Sequence, residues 1–344
     1  MKTGSAAPII VRLLQSRDQF TSLLPEWKEL FSSCPDAAPF QDCSWLMGWI
    51  DEFRPQNLVG VEIRQASRLV GFVPLLIYRR NQERVLAFAG GGVSDYLGVL
   101  RAEGHEGAIV TALLHAVHTI PDWDVLDLTD LALGNFLLHS RSLRPYVKAH
   151  DLCFVLTLPS SSEELLHLLS KRQWANLRNA RSRTQREGNA VMEAAKPSNA
   201  AEFLEDLFRL HTIRWGKLGQ SGVLGDPQVQ QFHRLVVPSL LSSGLVRLYR
   251  MRMNDHTIAV NYSFFQRQSV YCYLQGFDPE FSHLSPGMQL MFAVIEEAVR
   301  FGARRFDFLR GEEGYKLHWR PRTEPTYRVE VPRSLAPSGV RDAA

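Results

Sequence analysis

Apolar residues recur along the chain with two different periods, and the switches between those periods mark out its elements. Ile9 to Leu14 alternates as a short strand, and Asp18 to Phe31 repeats its apolar positions at helical spacing. Gln41 to Phe53, QDCSWLMGWIDEF, predicts a second helix rich in tryptophan. Leu58 to Arg64 and Arg68 to Tyr78 predict an antiparallel pair, with Arg84 to Gly90 as a third strand. Three glycines at 90–92 interrupt the series before SDYLGVL, Ser94 to Leu100. His105 to Thr119 then predicts a helix and Trp123 to Leu128 a strand.

The second half repeats that order. Phe154 to Leu158 opens it as a strand, and two or three helices fill Ser162 to Ser242. Ser161-Ser162-Glu163-Glu164 has the form of a capping box, so the helix it starts is expected to run to Gly188. Leu245 to Met253 and His256 to Arg267 form a hairpin about Asn254-Asp255, a tight-turn dipeptide, and Ser269 to Phe277 is the third strand. Each half therefore reads strand, helices, three-strand meander, helix, strand. Divergent duplication accounts for such an order. The expected domains are 1–150 and 151–333, followed by a flexible tail at 334–344.

The final helix and strand of the second half hold the densest chemistry. In SHLSPGMQLMFAVIEEAVRFGARRFDFLRGEEGYKLHWR (Ser282 to Arg320), Ser285 is expected as N-cap and Pro286 at the first helical position. The helix should stop at Gly302, and Arg305 to Leu309 alternates as a half-buried strand. A glycine-bounded turn follows with Glu312, Glu313, Tyr315, Lys316, His318 and Trp319. An open helix N-terminus beside such a turn suits an anion and acid–base chemistry.

Composition narrows the class. At 344 residues with 45% hydrophobic and 22% charged positions, the chain has the make-up of a soluble protein with real cores. A formal charge of +3 does not call for a nucleic-acid partner. Cys34, Cys43, Cys153 and Cys272 form no C-x-x-C pair, and the histidines show no metal spacing, so neither a disulfide framework nor a metal site is expected. The opening MKTGSAAPIIVRLLQSRDQF has only a short apolar run broken by Arg12, and no stretch approaches the roughly 18 apolar residues of a spanning helix. A cytoplasmic protein without a membrane span is the expectation.

One charge cluster stands apart from that balance. Lys171, Arg172, Arg178, Arg181, Arg183 and Arg186 face only Glu187 on a helix whose apolar stripe is Trp174, Leu177 and Ala180. A solvated basic face is the plain account, and docking of a phosphorylated group is the functional one.

The order of elements, together with PFQDCSWLMGWIDEF at 39–53, GFVPLLI at 71–77, FAGGGVSDYLGVL at 88–100, the basic helix, SPGMQL at 285–290 and FDFLRGEEGYKLHW at 306–319, resembles the GNAT superfamily. The likeness is to its tandem CelD-like acetyltransferases, whose relatives include the Fem-type peptidyltransferases. It implies an α/β fold of two tandem GNAT-like units, each a mixed, mostly antiparallel sheet flanked by helices. It also implies an acetyl-CoA or other acyl-CoA co-substrate, whose pyrophosphate sits on the loop and helix start after the fourth strand. Gln275, Gly276, Ser285, Pro286, Gly287 and Met288 occupy that place. HLSPGM at 283–288 keeps one glycine where the family loop has Q/R-x-x-G-x-G/A, and the first half offers Glu106 instead, which would repel a phosphate.

The resemblance makes Tyr315 the candidate general acid, with Glu312 or Glu313 as base and Lys316 on a phosphate or the developing oxyanion. Asp307 faces a cleft or pairs with Arg305. On the acceptor side, at a cleft between the halves, stand Ser94, Asp95, Tyr96, Trp45, Arg178, Arg181 and Trp319, although a plain turn accounts for the first three equally well and core packing is the stronger account of Trp45. The implied activity is acyl transfer from acyl-CoA, by direct attack, to an amine or hydroxyl of a sugar or of a cell-envelope or exopolysaccharide precursor. Two alternatives stand beside it: a Fem-type transferase using aminoacyl-tRNA, and a non-catalytic GNAT-fold protein of a polysaccharide-assembly system.

Overall fold

A computed structural model describes residues 7–216 and 219–337. In chain order the elements are β1 (Ile9–Leu14), α1 (Arg17–Ser22), α2 (Leu24–Ser33), α3 (Cys43–Phe53), β2 (Leu58–Gln65), β3 (Arg68–Arg80), β4 (Glu83–Phe88), β5 (Leu100–Arg101), α4 (Glu106–Thr119) and β6 (Val125–Leu131). Then come β7 (Val147–Thr157), α5 (Lys171–Glu187), β8 (Ala190–Ala194), α6 (Ala200–Gly216), α7 (Pro227–Ser242), β9 (Val246–Met253), β10 (His256–Gln266) and β11 (Ser269–Phe277). The chain closes with α8 (Pro286–Arg300), β12 (Arg305–Arg310), α9 (Gly314–Leu317) and β13 (Arg322–Pro332). Among the described residues, no helix is long and apolar enough to cross a membrane.

The chain divides into two compact units, one ending at Asp151 and rejoined from Pro325 on, the other spanning Leu152–Glu324. Each unit is α/β, with a mixed, largely antiparallel sheet flanked by helices. In the first, β1 through β4 run antiparallel in sequence order, β6 joins β4 in parallel, and β13 pairs with β6. In the second, β8 through β11 are antiparallel neighbours, β12 joins β11 in parallel, and β7 pairs with β12. The strand–helices–meander–helix–strand order occurs in both.

Several elements differ from the sequence reading, each for a local reason. Helix 18–31 breaks at Leu23 because Pro25 starts a new helix there. The basic helix begins at Lys171, not after Ser162: Ser170 accepts from the Gln173 N–H at 3.2 Å, and the Gln173 side chain accepts the Ser170 N–H at 2.8 Å. Residues Glu163–His167 form only a short 3₁₀ turn. Strand β8 lay inside the stretch read as helices. The β13 segment from Pro325, read as part of the second domain, pairs its Tyr327 with Leu131 and its Val331 with Leu126 in the first unit. Of the expected tail, Ser334 and Leu335 complete a 3₁₀ turn begun at Arg333, and residues 338–344 lie outside the described residues.

The core of the second unit is built on α8. Its Leu290, Met291, Val294 and Ile295 are buried on β10 and β11, each such burial being worth about 1.5–3 kcal/mol. Gln289, at 3% exposure, donates to Thr184 Oγ1 at 2.9 Å and to the Leu284 carbonyl at 2.8 Å, tying the first turn of α8 to α5. The start of α8 is thereby held in a fixed place.

Candidate functional site

The parallel pairing of β11 with β12 is short. It covers Ser269 to Tyr271, while β11 runs on to Phe277 with no pairing to β12. The register of β12 against β7 also shifts after Asp307, where Leu309 adopts a left-handed backbone at φ 60°. The end of β11, the start of α8 and the turn after β12 surround a cavity of about 350 Å³. That lies at the low end of small-molecule sites, which run from about 300 to 1,000 Å³.

One wall is the beginning of α8. Ser285 stands in the N-cap position, but its backbone is left-handed (φ 49°, ψ 49°) and its side chain caps nothing. The expectation of a hydroxyl cap is corrected accordingly. The Ser285 carbonyl takes the N–H groups of Met288 and Gln289 at 3.1 and 3.2 Å, and Pro286 has no N–H. The Gly287 N–H is left without a protein partner among the described residues. A Cβ on Gly287 would lie 3.4 Å from the Phe277 ring, an ordinary contact, so packing does not require glycine here. Gly276 is different: a Cβ there would lie 2.9 Å from the His211 backbone nitrogen, so its glycine serves the seating of α6. An unpaired N–H at a glycine, on a helix end carrying about half a positive charge, fits a diphosphate.

The opposite wall comes from the turn after β12. Tyr315 is partly buried in the cavity, which Gln275 also lines. Burial holds the Tyr315 pKa well above the ordinary tyrosine value, the Cys272 and Glu313 charges adding to it and the Arg214 charge opposing it. The phenol therefore keeps its proton throughout the neutral range. Trp319 lines the cavity at 3% exposure, stacked on Phe292 with centroids 6.4 Å apart.

Lys316 departs from its expected role. Its side chain is 2% exposed, and Nζ donates to the carbonyls of Leu309, Arg310 and Gly311 at 3.4, 2.6 and 3.0 Å, with Glu313 Oε2 at 2.9 Å. An ammonium has three donors, and here they close the turn instead of facing the cavity. Glu313 is the counter-ion of that lock, and Glu312 is exposed outside the cavity lining. Asp307 is fully buried, pairing with Arg305 at 2.6 Å and accepting the Leu309 N–H at 2.8 Å, which settles the choice between cleft and ion pair.

The residues expected on the acceptor side scatter. Trp45 is completely buried in the first unit, edge-on to Phe40 at 5.5 Å, with Nε1 donating to Ser94 Oγ at 3.0 Å. Ser94, Asp95 and Tyr96 are buried as well. A fully packed indole offers a ligand no face, so Trp45 and its Ser94 partner are corrected to core. Arg178 is exposed on α5, whereas Arg181 lies over the Phe292 ring at 5.1 Å and lines a second pocket with Thr184 and Gln289. Neither lines the first cavity.

Sequence reasoning missed Arg214, in the last turn of α6, together with Phe277 and Met291, while His318, named there in the turn, does line the cavity. Arg214 sits with its guanidinium 5.6 Å from the Tyr315 ring centroid. A lone arginine ending an amphipathic helix carries no signal beyond complementing the helix dipole. No metal was expected. Among the described residues one set, Asp130, His150 and Asp151, brings ligand-type atoms together. His150 Nε2 lies 3.9 Å from an oxygen of each aspartate, beyond the roughly 3–3.4 Å that donors bound to one ion at 2.0–2.2 Å keep.

Residues 171–317, which contain every lining residue of the cavity except His318 and Trp319, match the family described as acetyltransferase (GNAT) domain. Over those residues the chain is similar to a GNAT acetyltransferase domain. Solved structures of similar fold include FemX, 12% identical over 94% of this chain and 98% of that one, with a TM-score of 0.66. The C-terminal domain of a putative lysylphosphatidylglycerol synthetase from Agrobacterium fabrum matches at 11% identity over 91% and 92%, TM-score 0.56. L-PGS from Bacillus licheniformis matches at 12% identity over 78% and 82%, TM-score 0.51. At these identities the likeness is one of fold. No curated protein matches the sequence significantly.

Proposed function

We propose that the chain is an acyltransferase that takes its acyl group from acyl-CoA and passes it to an amine or hydroxyl by direct attack. The observation that carries this reading is the single cavity uniting the open start of α8 with the protonated hydroxyl of Tyr315. Ser285 to Met288 would hold the donor diphosphate, and the apolar stretch past Phe277, Met288 and Met291 would take the acyl-bearing arm. The coenzyme supplies an activated thioester. As the acceptor nitrogen or oxygen bonds to the acyl carbon, the carbon–sulfur bond breaks with its electron pair on sulfur, and the proton the acceptor loses passes to solvent water. Tyr315 donates a hydrogen bond to the departing sulfur. Because the pKa of Tyr315 lies above the roughly 8.5 of a thiol, the phenol stabilises the thiolate without giving its proton away outright. Burial drives the Cys272 thiol up to about 11, so it stays protonated and is a poor nucleophile, in keeping with a route lacking a covalent enzyme intermediate.

Calorimetry with acetyl-CoA and CoA tests the donor, and absence of binding at millimolar ligand sinks it. Given binding, Tyr315→Phe should lower turnover about 10²-fold or more while leaving coenzyme affinity nearly unchanged. Equal loss of affinity would make Tyr315 a binding group instead.

A second reading, transfer from aminoacyl-tRNA as in Fem-type enzymes, is favoured by the exposed Lys171, Arg172, Arg178 and Arg186 on α5 and by the FemX-like fold. Charged tRNA binding tightly where acetyl-CoA does not would select it. A sugar or envelope precursor as acceptor rests on the CelD-like resemblance alone.

A further inference from the structure

Resting on the acyl-CoA reading, we infer that the acceptor is itself anionic, carrying a carboxylate or phosphate beside the amine or hydroxyl that is acylated, and that Arg214 receives that group.

Arg214 is partly buried in the cavity wall, yet among the described residues it has no carboxylate partner and no hydrogen-bond acceptor. Its one contact of note is the face of the Tyr315 ring, at 5.6 Å. None of the residues lining the cavity is an aspartate or glutamate. Phe277, Met288, Met291 and Trp319 make much of the lining apolar or aromatic, with Gln275, Ser282, Ser285 and His318 as neutral or weakly basic polar members. Other drawn-in arginines of this unit are treated differently. Arg247 answers Glu297 at 2.8 Å, Arg250 answers Glu193 at 2.7 Å, and Arg305 answers Asp307 and Glu324 at 2.6 and 2.8 Å. Among the described residues Arg181 and Arg183 on α5 are also half-buried without a carboxylate partner, but Arg214 is the one of these unpaired guanidinium groups that lines this cavity.

A guanidinium removed from water and given no counter-ion is a cost unless something that binds there repays it. A planar fork of donors matches a carboxylate or phosphate in two parallel hydrogen bonds, and the apolar surroundings strengthen that pairing. The start of α8 already answers the donor's diphosphate in the reading above. Arg214 stands instead over Tyr315, beside the reacting atoms, which places the second anion on the acceptor. The C-terminal dipole of α6 favours a cation at this position, but it does not require the side chain to turn into a cavity.

The test is calorimetric titration of CoA-saturated protein with phenylacetate, phenyl phosphate and the neutral phenylethanol. The expected result is that at least one anion binds ten times or more tightly than the neutral probe, and the carboxylate and phosphate arms show which. Arg214→Gln should erase that advantage without changing CoA affinity, and Arg214→Lys should restore part of it. Equal binding of anionic and neutral probes by the unaltered protein overturns the inference, as does an advantage that survives Arg214→Gln. CoA affinity falling as far as anion affinity in Arg214→Gln would assign the arginine to the donor and also overturn it. Failure of CoA to bind the unaltered protein is a separate result, which removes the acyl-CoA reading, and the probes are then compared on the unliganded chain.

Discussion

Replacing Lys316 by methionine keeps the length of the side chain and removes its charge and donors. Three carbonyls, those of Leu309, Arg310 and Gly311, lose a donor, and Glu313 Oε2 loses its ion-pair partner. Arg310 and Gly311 lie at or near the surface, where water can replace the ammonium. The Leu309 carbonyl belongs to a buried residue, and Glu313 Oε2 is itself buried. An uncompensated buried carboxylate and an orphaned carbonyl together cost about 3–5 kcal/mol. With a urea slope of about 2 kcal/mol per molar, the unfolding midpoint should fall by about 2 M. Urea unfolding followed by circular dichroism measures this. A shift below about 0.5 M, combined with lost turnover and unchanged CoA affinity, would refute the structural role and return Lys316 to the chemistry.

Other expectations follow from the same contacts. Gly287→Ala adds a methyl at an ordinary 3.4 Å contact, so stability should change by less than about 1 kcal/mol while CoA affinity falls tenfold or more; calorimetry beside thermal melting reads both, and unchanged affinity removes the helix start from the donor site. Burial pushes His211 and His233 down to about 4 and about 3, the Arg214 charge adding to the first and His211 to the second. Both imidazoles stay neutral in the folded unit while the unfolded chain takes up protons below about pH 6.5, so stability is retained above that value and lost as pH falls toward 4. The loss is about 4 kcal/mol between pH 7 and pH 5 for the pair. Unfolding at the two pH values measures it, and an equal loss in a His211→Phe/His233→Phe variant would place the acid sensitivity elsewhere. Reversing charge at Arg178 and Arg181 should weaken any phosphorylated ligand that docks on α5, more so at low salt; unaltered binding of both CoA and tRNA retires that face as a docking surface.

What was legible in the sequence was local. The period of apolar positions marks out most strands and helices because each depends on neighbours two, three or four residues away. SPGMQL and the turn bearing Tyr315 and Trp319 lie within about 35 residues of each other, and the structure places Ser285, Gly287, Tyr315 and Trp319 around one cavity with Gln275 and Gly276. Tertiary structure decided which side chains within such stretches are spent. Lys316 and Glu313 look as reactive as Tyr315 in sequence, but their charges are consumed in closing a turn, the ammonium bonding its carbonyls and pairing with Glu313. Trp45 looks as ready to stack a ligand as Trp319, but it fills the interior of the first unit. Arg214 reaches the site from about 100 residues upstream of Tyr315, and β13 returns to β6 across nearly 200 residues. Periodicity reports which face of an element is buried, not what it is buried against. Pairing of charges, closure of cavities and return of distant strands are set by contacts between elements, so only the folded chain reveals them.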